Sequence, residues 1–427
     1  LYEIIRAQHL EVQCFFKVNR FCRFTSRQNG TVRPGFFIGA EGIMTDIGRM
    51  AHLAPARTQL AVDTYFDQAR FEREQKSIFE QFSRYVGHQK SVPQPGDWRS
   101  LLQENNGRIL VRGQNGTELL SNVCRHRQAL MLGGETGNVS GHNNTRGNLR
   151  DTGGNIVCPL HRWTYDKQGH LLGAPHFDNS PCLNLERFAL NECHGLLFEG
   201  PRNPVADIGN LFKRPEFDFS GYVLDHVEVH QCNYNWKTFI EVYLEDYHVA
   251  PFHPGLGHFV TCDDLSWEFT EHYSMQRVGV NHALSQPGTP AYKVWHDKLL
   301  AFRGGQTPDF GAVWVTYFPT HMIELYPHVA VLSTLYPKSP TETVNIVEFY
   351  YPEEIALFER EFVEAQREAY METAIEDDEI AERMDAGRAA LMARGTSETG
   401  PYQSPMEDGM QHFHEWYRKA MGETENF

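Results

Sequence analysis

The sequence predicts an α+β fold in two parts: a small antiparallel β domain, then a larger antiparallel sheet with helices gathered at its face and end. Three observations lead there. The 427 residues are enough for two ordinary domains, each with its own core. From about Ile109 to Gly200, short apolar runs alternate with Gly, Asn and Asp, the rhythm of short strands and tight turns. Beyond Tyr222 the strand-like runs lengthen, and a charged stretch of helical period follows them.

Residues 1–54 are set apart as an N-terminal extension. "LYEIIRAQHLEVQCFFKVNRFCRFTSRQNG" lacks an initiator Met, is locally basic and has no clean leader pattern, so it reads as poorly ordered or as a mis-set start. Residues 55–204 form the first unit. "DTYFDQARFEREQKSIFEQFSRYV" (63–86) spaces its apolar residues for an amphipathic helix, and "SVPQPGDW" then punctuates the chain. The runs "RILVRG", "GNIVCPLH", "RWTYDKQGHLLGAP" and "HGLLFEG" supply the strands, and "RNPVADIGNLFKRPEFDFSGY" reads as a boundary. Residues 205–427 form the second unit. "YVLDHVEVHQCNYNW" reads as a strand leading into a helix near Asn235, and strands recur at "FGAVWVTYFP", "MIELYPHVAVLSTLYP" and "TVNIVEFYYP". Glu353 to Arg394 is helical in period, with Gly395 as its stop.

A formal net charge of −16 argues against a nucleic-acid binder, and no stretch is apolar enough for a membrane span. The eight cysteines are spread too thinly for a disulfide framework and read as reduced thiols of a cytoplasmic protein. Two of them call for a different reading. "CRH" places Cys124 two residues from His126, and "CPLH" places Cys158 three from His161. Two loops, each offering one thiolate and one imidazole, match the ligand set of a Rieske [2Fe–2S] centre. Zinc takes the same four ligands, but zinc fingers usually pair two Cys in one loop and two His in the other.

A second cluster follows in "NWKTFIEVYLEDYHVAPFHPGLGHF". Glu245 and His248 are three apart, so a helix would project them from one side, and Pro251 lets His253 swing back toward His248. Two such imidazoles need one carboxylate to complete the face used by non-haem Fe(II) oxygenases.

"CRH…CPLHRWTYDKQG…LLGAP" resembles the Rieske motif of ring-hydroxylating oxygenase large subunits, and "NWK…EDYHVAPFH" resembles their catalytic motif. The resemblance implies a Rieske domain followed by a helix-grip-like catalytic domain. It implies that Cys124, His126, Cys158 and His161 hold the cluster and that His248 and His253 hold a mononuclear Fe(II). Glu245 would then be no ligand but the bridge between His248 and His161 of a neighbouring subunit. The late acidic motif "AIEDDEIAERMDAG" supplies the third iron ligand; Asp377 aligns with it, and Asp378 is its near competitor. Three departures stand out. The spacer between His126 and Cys158 is about twice the family's usual length, its excess "GNVSGHNNTRGNLRDTGG" reading as a surface insertion. Gln128 and Leu160 replace the usual Gly and Tyr. Glu241 falls where the family often has Asn near the iron.

The resemblance implies a terminal oxygenase that takes O2 as cosubstrate. Electrons from NAD(P)H would arrive through a separate ferredoxin or flavin reductase component, within a homotrimer or a heterohexamer with a small subunit. Its substrate would be an aromatic compound, dioxygenated or monooxygenated in aromatic hydrocarbon catabolism. The alternative is N-demethylation or monooxygenation of a betaine- or choline-like quaternary ammonium compound, since "LEDYH" and "GPYQSPMEDGMQHFHEWY" look like that branch. An aromatic cage with an acid would favour a cation; a pocket arginine would favour a carboxylate. A pure electron carrier would need only the first domain, and a zinc-stabilised binding protein would hold zinc in place of iron.

Overall fold

The computed structural model describes residues 58–133, 145–281, 284 and 288–423. The expected extension over residues 1–54 lies outside them. The first domain is built from short antiparallel strands, as its turn-rich sequence requires. Its five-stranded sheet runs Arg146–Asn148, Asp97–Ser100, Arg108–Arg112, Thr117–Ser121 and Arg187–Phe188. Three further short strands, Ile156–Val157, Thr164–Tyr165 and Leu171–Gly173, carry the second Cys–His loop at one end.

Two expectations change here. The segment 63–86 is not one helix. Asp67 is extended between helices Asp63–Phe66 and Gln68–Glu74, and its carboxylate caps the second by accepting the Arg70 N–H. The helix then widens into a π turn at Gln75–Phe79, and Arg84–His88 pairs as a strand with Leu196–Glu199. The spacer is also not wholly an insertion, since Arg146–Asn148 extends the sheet beside Asp97–Arg99 and Leu149 is buried.

The second domain holds one seven-stranded antiparallel sheet: β1 (Tyr222–Cys232), β2 (Val260–Phe269), β3 (Tyr273–Val280), β4 (Ala312–Tyr317), β5 (His321–Tyr326), β6 (Val329–Ser339) and β7 (Glu342–Pro352). β2 to β7 form a meander, and β1 adds beyond β7. β2, β3 and the helices at Pro290–Phe302 and Asp408–Ala420 add to the elements that the sequence predicts. The central strands bury both faces. One face meets Tyr85 and Phe198 of the first domain, so the two domains share a core there. Helices pack on the other.

Three helices matter for the site: α1 (Trp236–Tyr243), α2 (Val249–Phe252) and α3 (Arg360–Ala393). α3 is the expected acidic helix, but Glu359 leaves helical geometry at φ −115°, ψ 51° and separates it from a short helix at Glu353–Phe358. Along α3, Phe362, Gln366 and Ala369, and farther on Ala381 and Asp385, are buried at three- and four-residue steps, which aims one face inward in both stretches.

Two candidate metal centres and the pocket beside the second

The two Cys–His loops have the same backbone. Cys124 N–H donates to Ala129 O at 2.9 Å and Gln128 N–H returns to Cys124 O at 3.0 Å; Cys158 N–H donates to Trp163 O at 2.8 Å and Arg162 N–H returns to Cys158 O at 3.0 Å. Each loop turns on a left-handed residue, Gln128 at φ 52° and Arg162 at φ 62°. That explains the usual Gly at position 128, since this region suits glycine best. Both thiols are buried. The His126 and His161 rings lie 4.6 Å apart, and Trp163 stacks on His126 at 5.1 Å. Tyr165 shields from below, its hydroxyl 3.7 Å from Cys124 Sγ. His126 Nδ1 is buried without a hydrogen-bond partner, as a metal-facing nitrogen would be. His161 is exposed. The four residues fit a Rieske cluster.

The second centre is set by the "NWK" segment. Asn235 caps α1 by accepting the Lys237 N–H, and its amide donates to Tyr65 O and Pro340 O. Lys237, buried, pairs with Glu74 at 2.7 Å, and Trp236 donates to the same carboxylate. Asp385 of α3 accepts from Asn235 N–H and Thr238 Oγ1, so α1 and α3 are tied together.

α1 ends before Glu245, so the pairing of Glu245 with His248 is made by a turn and not by helical phase. Glu245 accepts the His248 N–H at 3.0 Å and lies 2.5 Å from His248 Nδ1. Pro251 sits inside the single turn of α2, where its missing N–H costs nothing, and His253 follows as that turn ends. His248 Nε2 and His253 Nε2 are 3.0 Å apart; Asp377 Oδ1 is 3.0 Å from the second and 3.4 Å from the first. Three donors at mutual right angles, each about 2.1 Å from one ion, would be about 3.0 Å from one another. Asp377, His248 and His253 could therefore hold one face of a six-coordinate iron.

Asp378 points elsewhere. It accepts from Tyr234 at 2.6 Å and pairs with His230 at 2.6 Å. Glu376, which sequence reasoning did not single out, lies 2.7 Å from His253 Nδ1 and does for that ring what Glu245 does for His248. Burial opposes a charge on His248, but Asp377 and Glu245 outweigh it and push its pKa up to about 10. His253 is raised against burial in the same way by Asp377 and Glu376. Such a place stabilises positive charge, and a dication can replace those protons.

Glu241 does not reach the iron ligands. It is buried among Arg388, Tyr65 and His414, whose Nε2 lies 2.8 Å away. Arg388 and its other partners hold this carboxylate at about 2, although burial pushes the other way. From α1, Phe239, Val242 and Tyr243 line the pocket beside His248, His253 and Asp377. Four more carboxylates line it, those of Glu228, Glu245, Asp246 and Glu324, with Trp295, Trp314, Tyr326 and Tyr370, and no lysine or arginine does among the described residues.

The family description "Ring hydroxylating alpha subunit (catalytic domain)" matches residues 219–423, and "Rieske [2Fe-2S] domain" matches 83–188. The chain belongs to the Rieske-type ring-hydroxylating oxygenases. This oxygenase is 79% identical over 394 residues to a putrescine 2-hydroxylase of Bordetella bronchiseptica, covering 92% of each chain. It is 61% identical over 378 residues to a putrescine 2-hydroxylase of Ralstonia nicotianae, covering 88% of this chain and 100% of that one. A quaternary ammonium Rieske monooxygenase solved with L-carnitine shares the fold at a TM-score of 0.65 and 18% identity, over 86% of this chain and 96% of that one. As an oxidoreductase of this family, the chain works with a Rieske [2Fe–2S] cluster, a mononuclear iron, O2 and electrons from a reductase. No helix among its described residues is long and apolar enough to cross a membrane.

Proposed function

We propose that this chain is the terminal oxygenase that hydroxylates a short aliphatic diamine, putrescine, at carbon. The observation that carries this reading is the pocket: carboxylates and aromatic faces line it, and no lysine or arginine does among the described residues. That lining suits a cation. The putrescine 2-hydroxylases at 79% and 61% identity support the same choice. An unsubstituted aromatic ring would offer Glu324 and Asp246 neither a cation nor a hydrogen-bond donor, so the expected aromatic substrate is set aside. A quaternary ammonium offers no N–H. Tyr243 Oη and Gln276 Oε1, buried in the pocket without partners, are better used by a primary ammonium.

In this reading His248, His253 and Asp377 hold the iron, and Cys124, His126, Cys158 and His161 hold the cluster. The metals supply the reductive activation of O2. One oxygen atom would enter a C–H bond and the other leave as water, with two electrons and one proton from NAD(P)H through the reductase and a second proton from solvent. Glu245 orients His248 and bridges toward His161 of the next subunit in a head-to-tail trimer; the exposed position of His161 supports that role.

The test is turnover with a reductase and NAD(P)H against putrescine, carnitine, glycine betaine and naphthalene. Putrescine should yield a product heavier by one oxygen atom. Oxygenation of naphthalene or carnitine, with putrescine untouched, would overturn the reading.

A further inference from the structure

Glu324 is an acid of the pocket wall held by two tyrosine hydroxyls. It is buried on β5, and the register sets it directly beside Trp314 of β4, which in turn faces Gln276 of β3. The three side chains thus form one row across three strands. Tyr326, two residues on, donates to Glu324 Oε2 at 3.0 Å and accepts from Trp314 Nε1 at 2.9 Å. Tyr370 comes down from α3 and donates to Oε1 at 3.0 Å. Among the described residues no lysine, arginine or histidine pairs with this carboxylate, and burial lifts its pKa to about 8. Held by two hydroxyls, walled by three aromatic rings and lacking a cation, this carboxyl group keeps its proton near neutral pH, and an arriving ammonium would favour its ionised form.

We propose that Glu324 holds one ammonium of the substrate, the one remote from the carbon that is hydroxylated. This rests on the reading of the chain as a diamine hydroxylase. The rings of Trp314, Tyr326 and Tyr370 add cation–π attraction, and the unpartnered Gln276 Oε1 and Tyr243 Oη offer acceptors for the remaining N–H groups. The placement follows from α3. Tyr370, which touches Glu324, and Asp377, in the iron triad, are two turns apart on one helix, a rise of about 10 Å. An ammonium at Glu324 therefore sits well short of the triad, and the aliphatic chain must span the interval. The remote ammonium lies one bond farther from the hydroxylated carbon than the adjacent one, so it is the better placed of the two to reach Glu324.

The experiment uses the iron-replete enzyme with its reductase. Glu324→Gln keeps the side-chain length and an acceptor oxygen for one of the two tyrosine hydroxyls while removing the negative charge. It should raise KM for putrescine by at least about 30-fold, with a smaller change in kcat, at unchanged iron content. Wild-type KM in an iron-replete variant would overturn the inference. A measurement on the wild type guards against a variant that fails to fold: butan-1-amine should inhibit putrescine turnover competitively, whereas butan-1-ol should not. Equal inhibition by the alcohol would also overturn it. If the wild type hydroxylates no amine, the functional reading falls and takes this inference with it. If it hydroxylates putrescine but is indifferent to Glu324, only this inference falls.

Discussion

Glu376 orients His253, its Oε2 lying 2.7 Å from Nδ1, while the next residue along α3, Asp377, approaches Nε2 of the same ring at 3.0 Å. Two consecutive carboxylates thus grip one imidazole from its two nitrogens. Glu376→Gln should weaken iron binding about 10- to 100-fold and leave the cluster intact. Chelator competition followed by iron analysis, with the visible spectrum as the cluster's record, checks this.

The adjacent acids separate the two registers. Asp377→Ala should lose the mononuclear iron and keep the [2Fe–2S] spectrum. Asp378→Asn should keep both, because its partners are Tyr234 and His230. Iron loss in the second variant and not in the first would place the third ligand at 378.

Glu245→Gln should retain both metals yet slow turnover by about 10- to 100-fold. The informative assay is a single turnover, in which a pre-reduced cluster should stay reduced on exposure to O2 and substrate. Normal reoxidation would take Glu245 out of the electron path.

Arg388 neutralises Glu241 at the junction of α1 and α3. Arg388→Ala leaves that carboxylate buried without its cation and should cost about 3–5 kcal/mol. A fall in the thermal midpoint measures it; an unchanged midpoint would show that Tyr65 and His414 suffice.

Acid should destabilise the fold through three histidines, His88 and His321 buried and His412 half-buried. Burial lowers His88 and His412 to about 4 and His321 to about 3, from an ordinary 6.5. Between these values the unfolded chain binds protons that the folded chain refuses, so stability is full above pH 6.5 and falls as pH drops toward 4. Each group contributes on the order of 1.4 kcal/mol per pH unit in that window. Denaturant midpoints at pH 7.5 and pH 5 test the sign, and His321→Asn should flatten the slope.

Residues that act within a few positions of one another were legible. Cys124 and His126, Cys158 and His161, and His248 and His253 each sit on one short loop, so spacing alone brings them together. Regular helical period does not guarantee an unbroken helix. Residues 63–86 contain a capped break at Asp67, and 353–394 a break at Glu359, because a local hydrogen bond or one non-helical dihedral interrupts a period without changing composition. Glu241 faces a buried arginine instead of the iron, since Arg388 lies 147 residues away.

The sequence by itself determined the fold class and the order of the Rieske and catalytic domains, and it brought forward the candidate cluster ligands and the candidate histidine pair, because each rests on local pattern. Only the tertiary structure set Asp377 beside His248 and His253 and Asp378 beside Tyr234 and His230, brought Glu376 to His253, and put Glu324 beside Trp314. Successive residues on a helix point about 100° apart, so the choice among neighbouring acids depends on what the helix packs against. Neighbours across a sheet are chosen by strand register, which joins residues that the chain holds far apart.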